Sequence, residues 1–152
     1  FLGSANNRFP EFKQRYKGYR SALKEAGLNI GSDMRFDAEN LEAEGQSAAQ
    51  KLLDSGQVFD AILAASDLIA IGAIAAFEAR GLRVPQDVAV VGFDDIPAAS
   101  YVSPPLTTVR QDTLAAGAAL VDRVIRLIEG EEVRATSLEP KLQVRASCGS
   151  QR

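Results

Sequence analysis

Two adjacent carboxylates, Asp94 and Asp95, directly follow an apolar stretch that ends at Phe93. Paired acids at the end of a strand suit catalysis, a metal site or the recognition of a ligand. A catalytic pair is the weaker hypothesis, because no further acid, metal ligand or nucleophile stands at a spacing that would let it work with these two. Aspartate is also common in turns, where its side chain accepts hydrogen bonds from nearby backbone N–H groups. Both roles are compatible, since one carboxylate can hold the turn while the other faces a ligand.

Two other polar positions are candidates for the same site. Ser66 with Asp67 is most simply the cap of a helix, but a helix N-terminus also offers free N–H groups to an anionic or hydroxyl-rich ligand. Arg15 lies off the apolar stripe of its predicted helix, so it is either a solvated side chain or a ligand contact. The segment GSANNR lacks the glycine spacing and the Gly-Lys-Ser/Thr of a phosphate-binding loop, which argues against a nucleotide site.

Helical and strand periodicities alternate along the chain and indicate an open α/β fold. Apolar residues at helical spacing predict four helices, at residues 9–26, 41–53, 68–80 and 113–128. Short apolar or alternating stretches predict strands, at the first residues and at 33–37, 60–65, 88–91, 107–110 and 141–147. Because most of these strands are continuously apolar, we expect a parallel sheet with helices on both faces.

The predicted sheet indicates where a ligand would bind. In open parallel sheets, ligands bind outside the carboxyl ends of the strands. Four loops would therefore surround one crevice, namely those after Leu2, Phe36, Ala64 and Phe93. Asp94 stands in the last of these loops, which favours ligand recognition as its role.

Composition excludes several functional classes. The net charge is −3 with both signs interspersed, so the sequence offers no polybasic surface for nucleic acid or for a membrane. There is no histidine and a single cysteine, Cys148, and we expect neither a cofactor nor a metal ion. No apolar run is long enough to span a bilayer. Because the sequence opens on FLGS and not on Met, we expect it to be a piece of a longer polypeptide.

Several motifs in a fixed order resemble the lac repressor/galactose repressor family of bacterial transcription regulators. They are RYKGYRSALKEAGL, which begins at Arg15, and DAILAASDLIAIGAIAAFEARGLRVPQDVAVVGFDDIPAASYVSPPLTTVRQD, which begins at Asp60. Within the second stretch, VGFDD and PPLTTVRQD form the most specific pair. The resemblance implies a periplasmic-binding-protein-like domain, in which two α/β subdomains hold a small-molecule effector in the cleft between them, and it implies a binding protein, not an enzyme.

The resemblance also implies roles for individual residues. Arg15 and the first acid of the pair, Asp94, would bind the effector, and Ser66 would line the cleft. Phe36 would stack on the ligand, and Gln111 would contact it from the crossover between the subdomains. Acids and amides accept hydrogen bonds from sugar hydroxyls, arginine donates them, and an aromatic ring covers an apolar sugar face. We therefore expect a sugar as the effector.

The same resemblance divides the chain between the two subdomains. Residues 1–106 and 136–152 would belong to the C-terminal subdomain, and residues 107–135 would form the crossover and a piece of the N-terminal subdomain. The DNA-binding head would be absent, so that only the full-length, cytoplasmic parent protein would bind operator DNA.

A homodimer surface is expected on the third helix and on the loop after the acid pair. This helix is apolar on nearly all sides, which fits either a buried helix or a subunit interface. The expected contact residues are Leu68, Ile71, Ile74, Tyr101, Val102 and Pro105. Two other classes stay open, namely a monomeric periplasmic sugar-binding protein of a transport system and an enzyme on the same scaffold.

Overall fold

A mixed sheet lies at the centre of the computed structural model, which describes residues 1–6, 8–28 and 34–150. Its strands are β1 (Ala61–Leu63), β2 (Ala89–Asp94), β3 (Thr107–Arg110) and β4 (Lys141–Gln143), in the order β1-β2-β3-β4. The first three run parallel, and β4 joins the edge antiparallel to β3. Leu2 extends the sheet beyond β1 through single parallel bridges to Ala64 and Phe36. The predicted open, mainly parallel sheet is thus confirmed.

The described residues form four α-helices close to the predicted ones. They are α1 (Pro10–Glu25), α2 (Glu42–Asp54), α3 (Asp67–Ala79) and α4 (Thr113–Ile128). Each bound lies within one residue of its prediction, because the end signals in the sequence are used in the structure. Pro10 opens α1, where its missing N–H costs no hydrogen bond. The side chains of Ser66 and Asp112 cap α3 and α4 by accepting from the backbone N–H three residues along.

Neighbouring residues of β2 show that helices lie on both faces of the sheet. Gly92 faces the start of α3, since a side chain there would collide with Asp67. Phe93 faces α1, because the guanidinium carbon of Arg15 lies 3.8 Å from its ring centroid. Successive side chains of a strand point to opposite faces. Helices α1 and α3 therefore lie on opposite sides of the sheet.

Helices α2 and α3 meet at a contact that only glycine permits. A Cβ at Gly72 would collide with the backbone carbonyl of Glu42, and a Cβ at Gly45 would collide with the backbone of Ile69. Helix α3 also packs on β2, so it lies between α2 and the sheet. The sequence left open whether this apolar helix is buried or forms a subunit interface. In the structure, most of its surface is buried within the chain.

Helix α4 has none of this packing, and none of its residues is buried. Its exposed apolar side chains are Leu114, Leu120, Val121, Val124, Ile125, Leu127 and Ile128. The chain leaves the sheet for this helix after Arg110 and returns at Lys141. Residues Thr107–Arg110 themselves pair with β2, so they are part of the sheet. The division of the chain into subdomains at residues 106 and 136 stays a prediction.

Three predicted strands are shorter in the structure, and the one predicted at 60–65 spans only Ala61–Leu63. The strand expected over KLQVRAS ends at Gln143, and a 3₁₀ turn follows at Ala146–Cys148. This turn forms because the Ser147 hydroxyl points inward, where it donates to the carbonyl of Val90 over 2.6 Å. The strand expected at 33–37 is reduced to the single bridge at Phe36, and Asp33 lies outside the described residues. In the ranges that the structure describes, no helix has the length and apolar character needed to cross a membrane.

Candidate ligand-binding site

The site is built around the turn at Asp94-Asp95, which follows β2. Both residues have a positive φ, 112° at Asp94 and 55° at Asp95. Such a conformation costs a non-glycine residue roughly 1–3 kcal/mol, so it persists only where surrounding contacts hold it. Two of these contacts are backbone donors: Asp95 N–H bonds the Thr108 hydroxyl over 3.3 Å, and Ile96 N–H bonds Asp67 Oδ2 over 2.9 Å. The turn is therefore fixed from α3 and from β3.

The Asp94 carboxylate faces the crevice and meets two donors from different elements. Arg15 Nη2 of α1 donates to its Oδ1 over 3.0 Å, and Gln111 Nε2, just beyond β3, donates to the same oxygen over 2.9 Å. The Asp94 side chain is 29% exposed. Because both donors use Oδ1, the second oxygen receives no hydrogen bond from the described residues. Asp94 thus keeps a free acceptor at an open position.

Arg15 is held so that only part of its surface faces the crevice. Its Nη1 donates to the carbonyl of Ala65 at the end of β1, and its guanidinium stacks on Phe93. The Phe12 ring lies on the same side, 5.5 Å from the guanidinium carbon. The Arg15 side chain is 14% exposed. Of the two predicted readings of Arg15, the structure therefore excludes the freely solvated side chain.

The charges at this position offset each other. Burial raises the pKa of Asp94 above its ordinary value, and the charge of Arg15 with the hydrogen bonds from Gln111 and Arg15 oppose that rise. The Arg15 guanidinium in turn has Asp94 as its ionic partner. The Arg15–Asp94 pair as a unit carries no net charge, and it offers donors and acceptors to hydroxyl groups.

Asp95 performs the other role that was open for the acid pair, because it holds the turn. Its side chain is 5% exposed, and its Oδ1 accepts from Arg145 Nη2 over 2.6 Å. The Nε of Arg110 donates to its Oδ2. Burial alone would raise the pKa of Asp95, but the hydrogen bonds and charges of Arg145 and Arg110 outweigh it and lower that pKa. The hypothesis of one anchoring and one outward-facing acid agrees with this geometry.

A third acid, Asp67, lies beneath the turn, and sequence reasoning treated it only as part of a helix cap. Asp67 is fully buried, and its Oδ1 accepts from the Thr108 hydroxyl over 2.6 Å. Burial raises its pKa, which the hydrogen bonds from Thr108 and Ile96 N–H oppose. The missing side chain at Gly92 leaves room for this carboxylate. The available signal was the threonine pair at the start of a predicted strand, since hydroxyls that are buried in a sheet need partners.

Ser66 caps a helix in the structure, and its predicted place in the lining of the crevice stays a prediction. The residue is 1% exposed, and its hydroxyl accepts from Ile69 N–H over 3.4 Å at the start of α3. The simpler of the two interpretations, a structural cap, is the one that the structure supports.

Phe36 and Gln111 both lie at the carboxyl ends of the parallel strands, but several strands apart in the sheet. Phe36 pairs with Leu2, which pairs with Ala64, so two strands separate it from β2. Its ring is half-buried and packs on the core. Gln111 is exposed and bonded to Asp94. The structure thus joins Arg15, Asp94 and Gln111 in one cluster, and the stacking role of Phe36 stays a prediction.

A cavity of about 520 Å³ opens beside the cluster, between the two connections that lead to α4 and back. Its lining includes Asp94, Gln111 and Thr113 from the outgoing segment and Leu138 and Lys141 from the returning one. A volume in this range suits a small molecule of the size of a sugar. The cluster therefore combines open space with donors and acceptors that are already fixed.

The residues predicted for a dimer surface do not all lie at the surface. Tyr101 is 88% exposed, Pro105 is exposed, and Leu68, Ile71 and Val102 are half-buried. Ile74 is 4% exposed and belongs to the core, because it lies on the face of α3 that packs inside the chain. Its assignment to a subunit interface is wrong, and the dimer role of the other five residues stays a prediction.

Comparison with known proteins gives the same picture along nearly the whole chain. The model of the periplasmic binding protein-like domain matches residues 1–148. The transcriptional repressor PurR of Pasteurella multocida is 36% identical over 140 residues, which is 91% of this chain and 42% of that protein. The chain therefore spans about two fifths of the length of this relative.

Two solved structures extend the comparison to the fold. The lac repressor bound to ONPG in its repressed state superposes with a TM-score of 0.88 at 30% identity, over 96% of this chain and 44% of that one. The complex of the transcriptional regulator CelR with cellobiose superposes with a TM-score of 0.82 at 38% identity, over 88% of this chain and 41% of that one. The chain belongs to the periplasmic binding protein-like domain family, among the domains of lac repressor/galactose repressor regulators.

Proposed function

We propose that this chain is the effector-sensing part of a bacterial transcription regulator and that its effector is a neutral, hydroxyl-rich molecule, a sugar. One observation carries the proposal: Asp94 presents a free carboxylate oxygen at the mouth of the cavity while Arg15 and Gln111 hold its other oxygen. A fixed acceptor beside fixed donors suits a ligand with several hydroxyl groups. The named complexes of two relatives, with cellobiose and with ONPG, support a sugar-like ligand.

The electrostatics favour a neutral effector over an anionic one. Arg15 already has Asp94 as its ionic partner and the Ala65 carbonyl as its second acceptor. An anionic ligand would have to displace Asp94 from the arginine or approach that carboxylate directly. A neutral hydroxyl can instead donate to the free oxygen of Asp94 without disturbing the pair.

Regulation would follow from the place of the site between the two connections. The effector would favour one geometry of the cleft, and that geometry would set the spacing of paired DNA-binding heads in the full-length, cytoplasmic regulator. A homodimer would bring those heads together, through a surface that includes the exposed Tyr101 and Pro105 and the half-buried Leu68, Ile71 and Val102. Since the relatives reported above are named as regulators, they favour this role over transport.

Calorimetry on the full-length regulator tests the effector site. A panel of neutral mono- and disaccharides, including cellobiose, is titrated beside a purine base and inorganic phosphate. For the sugar that binds, Asp94→Asn and Arg15→Ala should each weaken affinity more than tenfold, since a lost charged hydrogen bond costs about 1.5–3 kcal/mol.

The matched control is Asp87→Asn, which removes an ion pair with Arg83 outside the cluster and should leave affinity unchanged. Wild-type affinity in both site variants, or tight binding of phosphate with no binding of any sugar, would contradict the proposal.

A further inference from the structure

The segments where the chain leaves the sheet for α4 and where it returns are both bound to the same buried carboxylate. The outgoing connection begins after Arg110, and the returning one enters the sheet at Lys141 and continues to Arg145. The guanidinium of Arg110 binds Asp95 Oδ2, and that of Arg145 binds Asp95 Oδ1. Each oxygen of one side chain therefore binds an arginine in a segment that flanks one connection, at the end of β3 or just after β4.

Among the ion pairs of the described residues, the two at Asp95 have the most buried carboxylate. The Asp95 side chain is 5% exposed, whereas the Arg83–Asp87 pair within one turn has partners that are 71% and 30% exposed. Exposed pairs contribute little because water screens them, but a buried carboxylate that loses its partners is left desolvated and unpaired. The contact of Asp95 with Arg145, which is 18% exposed, is therefore difficult to replace with water, whereas Arg110 is 51% exposed.

Further hydrogen bonds fix the position of Asp95 relative to the strands. Its N–H bonds the Thr108 hydroxyl of β3, and Arg145 Nη1 donates to the Leu106 carbonyl over 2.7 Å. The preceding residue is Asp94, whose carboxylate bonds Gln111 on the outgoing connection. A displacement of either connection would consequently act on the turn that orients Asp94.

We propose that Asp95 is a positioning residue that fastens the outgoing and returning connections to the turn and thereby orients Asp94 toward Arg15 and Gln111. Asp95 itself bonds protein groups on both oxygens and acts on a ligand only through Asp94. The consequence for ligand binding rests on the function proposed above, but the fastening of the connections can be tested without any ligand.

Amide hydrogen exchange, measured residue by residue on the ligand-free chain, provides the test. Asp95→Asn keeps the size of the side chain and tolerates a positive φ, so it removes the charge with little change in backbone strain. We expect exchange to accelerate at least tenfold at 107–112 and at 141–147, with less than a twofold change in α3. In the same spectra, the side-chain amide resonances of Gln111 should shift, because its acceptor Asp94 moves.

If Asp95→Asn folds poorly, two variants that each remove one of the arginines keep the test valid. Arg110→Gln should accelerate exchange mainly in the outgoing connection, and Arg145→Gln mainly in the returning one. Asp87→Asn, the exposed control, should change neither. Unchanged exchange in both connections, or equal acceleration throughout the chain, would overturn the positioning role. A failure to find a sugar ligand, by contrast, would count against the effector and leave this result standing.

Discussion

Helices α3 and α4 have similar apolar content and opposite surroundings. Eight of the 13 residues of α3 are buried, among them Phe77 with no exposed surface, whereas α4 has 16 residues and buries none. Helix α3 is enclosed by α2 and the sheet, and α4 has apolar side chains at 50% exposure or more along its length. Apolar periodicity shows that a helix has a face to bury, but another part of the molecule must supply the surface that covers it.

The surroundings of one glycine in each helix show this difference in packing. Helix α3 is apolar nearly all round and contains Gly72 where the backbone of α2 approaches. Helix α4 is amphipathic and has Gly117, with no atom near the place of its missing side chain. The same residue type thus serves close packing in one helix and has open space beside it in the other.

Among variants that should still fold, the largest expected effect comes from matched glycine substitutions. Gly72→Ala places a Cβ against the carbonyl of Glu42 and should lower the free energy of unfolding by about 1–3 kcal/mol, the usual cost of overpacking. Gly117→Ala meets no neighbour and should raise it by roughly 0.5–1 kcal/mol, through helix propensity. Urea denaturation of both variants measures the two values. Equal effects of the two substitutions would remove the distinction between the packed and the exposed helix.

The fold was predictable from sequence to the extent that its signals are local. Helix bounds follow from Pro10, the capping side chains of Ser66 and Asp112, and the glycines after each helix, all of which act within a few residues. The position of Asp94 at the crevice followed from the sheet type alone, because parallel strands present their carboxyl ends at one edge.

The remaining parts of the site depend on contacts between residues far apart in the chain. Asp95 is joined to Arg145 across 50 positions, and Asp67 to Thr108 across 41, distances over which no spacing rule operates. Ile74 was assigned to a partner because sequence gives the type of a residue, while its direction within a packed helix depends on the neighbours.

An effect of intermediate size on stability is expected when the pH is lowered. It distinguishes the buried ion pairs of Asp95 from an exposed ion pair in α4. The folded-state pKa of Asp95 lies below the ordinary value of about 4, so its contribution to stability is complete above that pH and is lost as the pH falls through the lower folded value. Asp95→Asn should be less stable than wild type at pH 7, and the difference should shrink below about pH 4. The folded-state pKa of Asp67 is raised, so Asp67 changes the stability in the opposite direction as the pH falls. Because Asp67 is present in both proteins, it does not cause the difference between them.

The control for the acid experiment lies in α4. Asp122→Asn removes an exposed pair with Arg126, whose charged atoms are 4.0 Å apart, and its thermal stability should follow the wild-type curve at every pH. A difference between Asp95→Asn and wild type that stays constant from pH 7 to pH 3 would show that the two arginines do not lower the pKa of Asp95.

The smallest effect, and the most direct test of the comparison, concerns the apolar face of α4. Val124 is 54% exposed, so Val124→Glu should change the free energy of unfolding of the 152-residue chain by less than about 0.5 kcal/mol, as at other surface positions. The corresponding change in the buried helix, Ala73→Glu, would place an unpaired carboxylate in the core and should prevent folding. Urea titrations at two protein concentrations measure the effect. If Val124→Glu costs more than about 1 kcal/mol, and more so at high concentration, a second copy of the chain covers this face, because only an interface between copies makes stability depend on concentration.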